Sequence, residues 1–213
     1  MTSRRSTLVR IAAALAAWPL AMALGTAQAQ GQAAGRVDLA GVKYEPEATV
    51  AGSKLVLNGA GIRYKAIFKV YTAGLYMPAK TQSADAVVAP TAPRRLHIVM
   101  LRDIDGNELG KLFTRGMEQN MSRDEFSKVI PGVIQMSELF SSRSKLATNE
   151  NFTVDWVPGQ GTVILVNGKP SLVVKEPAFY TALMKIWLGN SPADHLLKDA
   201  LLGVQRQQSS TQQ

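Results

Sequence analysis

The chain has 213 residues, no cysteine, and 24 Lys and Arg against 16 Asp and Glu, a formal net charge of +8. Without cysteine there are no disulfides, thiolate metal sites or cysteine nucleophiles. The basic excess is spread along the chain, which argues against nucleic-acid binding and leaves only a mild attraction to anionic ligands or surfaces.

Arg4, Arg5 and Arg10 precede an apolar run from Ile11 to Leu24, and Ala27-Gln28-Ala29 offers small residues at a cleavage position. This is the pattern of a secretory signal peptide over residues 1–29, cut after Ala29, and it predicts a bacterial protein exported to the periplasm. The apolar run is short for a membrane span, an uncleaved anchor being the alternative. No later stretch approaches the roughly 18 apolar residues a span needs, so no transmembrane segment is expected after cleavage. Removing the three leader arginines lowers the net charge from +8 to +5. The remaining chain, about 184 residues, suffices for one domain with a real core, expected over 35–203. A polar tail predicted to be disordered covers 204–213.

Within the domain, Val37 to Leu39 and Glu47 to Val50 read as short strands around a turn at Glu45-Pro46. Leu55 to Leu57 and Phe68 to Tyr76 flank a glycine-bearing segment that ends in Arg63, and the polar link at Tyr64 and Lys65 suggests a hairpin. Gly59 and Gly61 mark a bulge or a close approach by another backbone or a ligand. An unbroken strand puts Arg63 on the face of Leu55 and Leu57, and a bulge at the glycines reverses that. A guanidinium on an apolar face needs an anion or a set of acceptors. The alternative is a stem lying along the sheet with its head in solvent.

Residues 79–94 predict a loop or a short helical turn. Leu96 to Leu101 is apolar on both faces, as in a central strand. Asp105 and Glu108 have capping-box spacing before a helix reaching about Asn120, and Ser122 and Glu125 repeat it before a second helix. That helix is expected to break or kink at Pro131-Gly132 and resume through Phe140. Phe152 to Val157, Thr162 to Val166 and Leu172 to Val174 read as three consecutive antiparallel strands, with Asn167-Gly168 as the strongest hairpin signal in the chain. Pro177 opens a helix that Gly189 ends, and Ser191-Pro192 leads into the last one, with Asp194 at its positive end and Gly203 closing it. Strands in runs and helices in pairs give an α+β class: a large antiparallel sheet packed by a layer of helices.

The chemistry-bearing residues are few. His97 and His195 have no triad or metal-ligand company, so neither a metal nor a cofactor is expected. Asp103, Asp105 and Glu108 could do acid–base or metal work, but capping accounts for the last two. Arg102 is a second candidate anion contact, or else the partner of those carboxylates. Tyr71 and Tyr76 fall on opposite strand faces, and one of them could offer a hydroxyl to whatever Arg63 binds.

G-A-G-I-R-Y, then F-K-V-Y-T-A-G-L-Y, then I-W-L-G before S-P-A-D resemble the chalcone isomerase superfamily, and most closely its bacterial exported branch. The resemblance runs from Val37 to Gly203 and implies a ligand cleft between sheet and helices. It also implies two functional classes. The enzymes close a ring on an enone with an arginine and a network of hydroxyls, whereas related proteins hold a fatty acid by an arginine and a tyrosine. Arg63 falls on the shared arginine. Tyr71 takes the place of the enzymes' threonine, and Thr72 does so only if the frame slips by one. An approximate match puts Leu109 and Gly116 where the enzymes carry a tyrosine and an asparagine. With the hydroxyl network largely absent, the resemblance implies a non-catalytic binder of an apolar, anionic, fatty-acid-like molecule, contacted by Arg63, Tyr71, Thr72 and Arg102. An intramolecular lyase or isomerase acting on an enone is the alternative.

Overall fold

The structure, a computed structural model, describes residues 35–204. The signal peptide expected over residues 1–29 and the tail from residue 205 onward lie outside the described residues. In chain order the elements are β1 (Val37–Leu39), β2 (Val42–Tyr44), β3 (Glu47–Val50), β4 (Ser53–Lys65), β5 (Phe68–Met77), α1 (Ala84–Val88) and β6 (Arg94–Met100). Then come β7 (Ile104–Asp105), α2 (Gly106–Glu118), α3 (Arg123–Ser141), β8 (Lys145–Leu146), β9 (Asn151–Val157), β10 (Gly161–Val166), β11 (Lys169–Val174), α4 (Pro177–Leu188) and α5 (His195–Leu201).

Seven strands form one antiparallel sheet in the order β11-β10-β9-β6-β5-β4-β3, with β6 at its centre. Its central place agrees with the expectation, but the strand alternates: Leu96, Ile98 and Met100 are buried on one face, whereas Arg95 and His97 lie half-buried on the other. One face, bearing Leu75, Leu96, Ile98, Phe152 and Val154, buries the inner stripes of the helices. There Phe113, Phe140 and Phe152 meet with ring centroids 5.2–5.8 Å apart, and Trp187 closes the group 6.2 Å from Phe113. Such aromatic pairs add about 0.5–1.5 kcal/mol each beyond the area they bury. Met117 and Met136 are fully buried in the same core. On the other face the β1–β2 hairpin covers Val50, Leu55, Leu57 and Tyr76 with Tyr44.

The local signals act largely as read. Asp105 caps α2 by accepting from Glu108 N, and Ser122 and Glu125 form a complete capping box. Asn167 and Gly168 both have positive φ (49° and 76°), as a tight β10–β11 turn demands. Four further expectations need correction. Val37–Leu39 pairs with β2, a strand the sequence did not announce, rather than with Glu47–Val50. The sequence likewise gave no sign of the small β7–β8 pair. The link of the central hairpin is Ala66-Ile67, because β4 runs unbroken through Lys65. Finally, α3 continues through Pro131. A side chain at Gly132 would collide with the Phe179 ring, so α4 is pressed against the helix where the proline would otherwise let it open.

Both expectations for the glycines of β4 are met. The β4–β5 register shifts between Leu57 and Gly59, leaving Asn58 as the extra residue of a bulge. Beyond it the backbone of α5 lies so close that a Cβ on Gly59 would overlap the Ala200 carbonyl oxygen. Asn58 pins the bulge: its amide donates to Thr81 O (3.0 Å) and Leu201 O (2.7 Å), and its carbonyl accepts from Thr81 N (2.7 Å). The bulge switches the parity of the strand. Leu55 and Leu57 face the β1–β2 hairpin, whereas Arg63 faces the helices.

Candidate ligand-binding cavity

A cavity of about 430 Å³ opens between the hairpin end of β4 and β5, one face of α2 along its length and the segment before α5. That size lies within the ordinary range for small-molecule sites, roughly 300–1,000 Å³. Its inner wall is apolar and buried: Met100, Leu109, Phe113, Phe152 and Ile186. Its mouth is charged. Arg63, Lys65, Arg102 and Arg115 line it together with Asp103 and Glu108. Asp103 is already matched by Lys145 and by Thr148, which together hold its carboxyl down at about 2. The mouth therefore has a positive excess.

Arg63 and Tyr71 are register partners across β4 and β5, and both reach the cavity. One Arg63 N–H goes to the Tyr64 carbonyl. Asp194 Oδ2 lies 3.9 Å from the guanidinium, beyond hydrogen-bond range. The acceptor capacity of Asp194 is spent instead on Tyr64 N (3.0 Å), Leu196 N (2.8 Å) and Leu197 N (3.2 Å), so it caps α5 and ties that helix to the end of β4. A guanidinium has five N–H donors in a planar fork, most of which these neighbours leave uncommitted.

Tyr71 accepts a hydrogen bond from the Trp187 indole N–H at 2.8 Å. Burial pushes its hydroxyl up to about 12, against the opposing pull of the Trp187 hydrogen bond and of Arg63, which acts through its charge and its own N–H. It stays protonated at neutral pH, and since its oxygen already accepts from Trp187, its own O–H is the group left to donate. Here a fixed cation and a fixed neutral donor sit side by side at the end of an apolar chamber. Such a pair can hold a carboxylate by one charge-assisted and one neutral hydrogen bond.

A family model described as chalcone isomerase-like matches residues 36–203. The chain belongs to the chalcone isomerase-like family. Among solved structures, an Arabidopsis thaliana fatty-acid binding protein aligns with a TM-score of 0.64 at 15% identity. The alignment covers 78% of this chain and 95% of that one, and at such identity the likeness shows the fold alone. No curated protein matches.

The chalcone isomerase-like domain brings three of the four expected contact residues together. Arg63, Tyr71 and Arg102 line the cavity. Arg102 pairs with none of the nearby carboxylates and instead lies over the Phe68 ring, 4.9 Å from its centroid. Thr72 is the exception. It points to the opposite face, fully buried, and accepts from the Tyr44 hydroxyl at 2.8 Å. Alternation along β5 requires this once Tyr71 faces the cavity. Leu109 and Gly116 do line the chamber, so the two positions matched to the enzymes' tyrosine and asparagine offer it no side-chain donor.

Trp187 and Asp194, which orient Tyr71 and the end of β4, were not anticipated as parts of the site. Trp187 shares the stripe Leu183-Ile186-Trp187, and its indole N–H, which needs a partner when buried, was the available signal. His97 lies under the β1–β2 hairpin with its ring 5.7 Å from Tyr44, and His195 is exposed at the start of α5. Among the described residues no group of three His, Asp or Glu could hold a metal ion, and no helix is long and apolar enough to cross a membrane.

Proposed function

We propose that this protein is a non-catalytic binder of an apolar small molecule with an anionic group, a fatty-acid-like carboxylate being the best match. The observation that carries the reading is the Arg63–Tyr71 pair at the charged end of an otherwise apolar chamber. The acyl part of such a ligand would lie against Leu109, Phe113 and Phe152, and its carboxylate would meet the guanidinium and the Tyr71 hydroxyl. The structural similarity to a protein described as fatty-acid binding supports this reading. Residence in the bacterial periplasm belongs to the same proposal and rests on the leader pattern of residues 1–29.

The test is native mass spectrometry and organic extraction of the purified protein. A bound carboxylate-bearing apolar molecule, lost in Arg63→Ala, is the expected result. An empty chamber with no affinity for long-chain carboxylates contradicts the proposal.

Isomerisation of an enone is the second reading, since the arginine is common to both classes. Leu109 and Gly116 weigh against it, because positioned donors supply much of the rate gain in reactions that develop oxyanion charge. Turnover of chalcones above background, abolished by Arg63→Ala, would reverse the preference.

A further inference from the structure

The tip of the β4–β5 hairpin breaks the rule that the three other two-residue hairpins among the described residues obey. Ala40-Gly41, Ala51-Gly52 and Asn167-Gly168 each end in a glycine at positive φ. The β10–β11 loop is Asn167-Gly168, polar and suited to positive φ. The β4–β5 loop is Ala66-Ile67: Ala66 at φ 53° matches Ala40 and Ala51 in the other hairpins, but Ile67 stands where they all have glycine. Ile67 is 85% exposed and the adjoining Phe68 52%. A β-branched apolar residue at a solvent-facing tip, where the other hairpins carry glycine, buries little of itself in the fold. Such local inconsistency is characteristic of a functional surface.

The surroundings supply the second observation. Tyr64, Ile67, Phe68, Leu112 and Leu196 are all exposed large apolar residues near the cavity mouth, whereas Ile130, Ile134, Val173 and Val204 lie elsewhere among the described residues. Leu112 lines the cavity itself, and Leu196 follows the Asp194 cap that binds Tyr64 N. Interleaved with them are Lys65 and Lys69 on the hairpin, Arg102 over the Phe68 ring, and Arg115 on α2. The acidic groups at the same end are Glu108, Asp103 in its pairing with Lys145, and Asp194 beside Arg63. Cations remain in excess.

We propose that this hairpin tip docks on an anionic lipid surface and sets the cavity mouth against the bilayer interface. Aromatic and aliphatic side chains at the tip enter the headgroup boundary while the flanking Lys and Arg meet lipid phosphates, the arrangement that interfacial anchors use. A protein partner fits less well. The apolar part of the hairpin tip is Tyr64, Ile67 and Phe68, far short of the roughly 800 Å² per partner that stable association needs. The membrane contact stands independently of the cavity's contents. That it serves to load or unload the cavity rests on the binding function proposed above.

Both cores lie whole within residues 35–204, so that domain is tested without the leader. Sedimentation with vesicles of equal parts phosphatidylethanolamine and phosphatidylglycerol should recover the protein, and pure phosphatidylcholine vesicles or high salt should release most of it. The double substitution Ile67→Ser with Phe68→Ser should weaken the partition about tenfold or more while lowering the melting temperature only slightly, since Ile67 is almost wholly exposed and Phe68 gives up a single contact with Arg102. Ile134→Ser on α3 should change nothing. In solution the double variant should still bind a long-chain carboxylate, and Arg63→Ala should lose that ligand while keeping the vesicles. Equal vesicle binding by wild type and double variant, or none by wild type, overturns the proposal. Self-association through the tip in place of vesicle binding overturns it too.

Discussion

Arg63 and Tyr71 face each other across β4 and β5 between two register shifts, an extra Val70 in β5 and a bulge at Asn58 in β4, five positions before the arginine. Without that bulge the parity of Leu55 and Leu57 would carry Arg63 to the β1–β2 side, away from the cavity. The site is therefore built on a backbone irregularity, and the first prediction concerns what holds it.

Asn58 is buried and makes three hydrogen bonds, two to the Thr81 backbone and one to the Leu201 carbonyl. Asn58→Ala leaves those backbone groups without a partner and should cost roughly 2–3 kcal/mol. Denaturant unfolding measures this directly, and hydrogen exchange should quicken at the end of α5. A loss under about 0.5 kcal/mol, the range of neutral surface substitutions, would show that the bulge is held by something else.

Tyr71→Phe keeps the ring and removes the hydroxyl. A hydrogen bond to a charged group is worth about 1.5–3 kcal/mol, so affinity for a long-chain carboxylate should fall about tenfold to a hundredfold. The variant should also lose about 1–2 kcal/mol of stability, since the Trp187 N–H is left unpaired. Calorimetric titration and urea unfolding read the two effects separately. Loss of stability with intact affinity would mean that Tyr71 positions Trp187 and does not contact ligand.

His97 gives the fold a pH dependence remote from the cavity. Burial, aided by the Arg95 charge, lowers it from 6.5 to about 4, against a smaller upward pull from Asn151. Between those values the unfolded chain binds the proton and the folded one does not, so stability falls as pH drops from 6.5 towards 4, by up to about 3 kcal/mol. Asp103, held at about 2, titrates below that window, its contribution being lost as pH falls from 3.8 towards 2. Urea midpoints measured from pH 7 to pH 4.5 should fall for the wild type and flatten for His97→Gln. Parallel curves would remove His97 from the explanation.

Much of the fold was legible because it is written locally. The Asp105 and Ser122–Glu125 caps, the Asn167-Gly168 turn and the apolar run of β6 each act within a few residues, and the structure uses all of them. Arg63 could be singled out for the same reason, as a cation in an apolar strand. Its face could not be fixed, because the bulge is stabilised by a contact between residues 143 positions apart, Asn58 and Leu201. Thr72 was assigned to the site by an alignment frame, and only the observed register shows that it belongs to the other face. Asp194 was read only as the cap of the last helix, which it is, and Trp187 only as core, because what makes them part of the site is a partner on a distant strand.

The central claim is that Arg63 holds an anion at the end of an apolar chamber. The most direct measurement is the affinity of wild type and Arg63→Ala for a long-chain fatty acid and for the alcohol of the same chain length. The wild type should prefer the acid by about tenfold or more, and the variant should bind both equally weakly. An acid affinity unchanged by the substitution, or a wild type that does not distinguish acid from alcohol, would contradict the account.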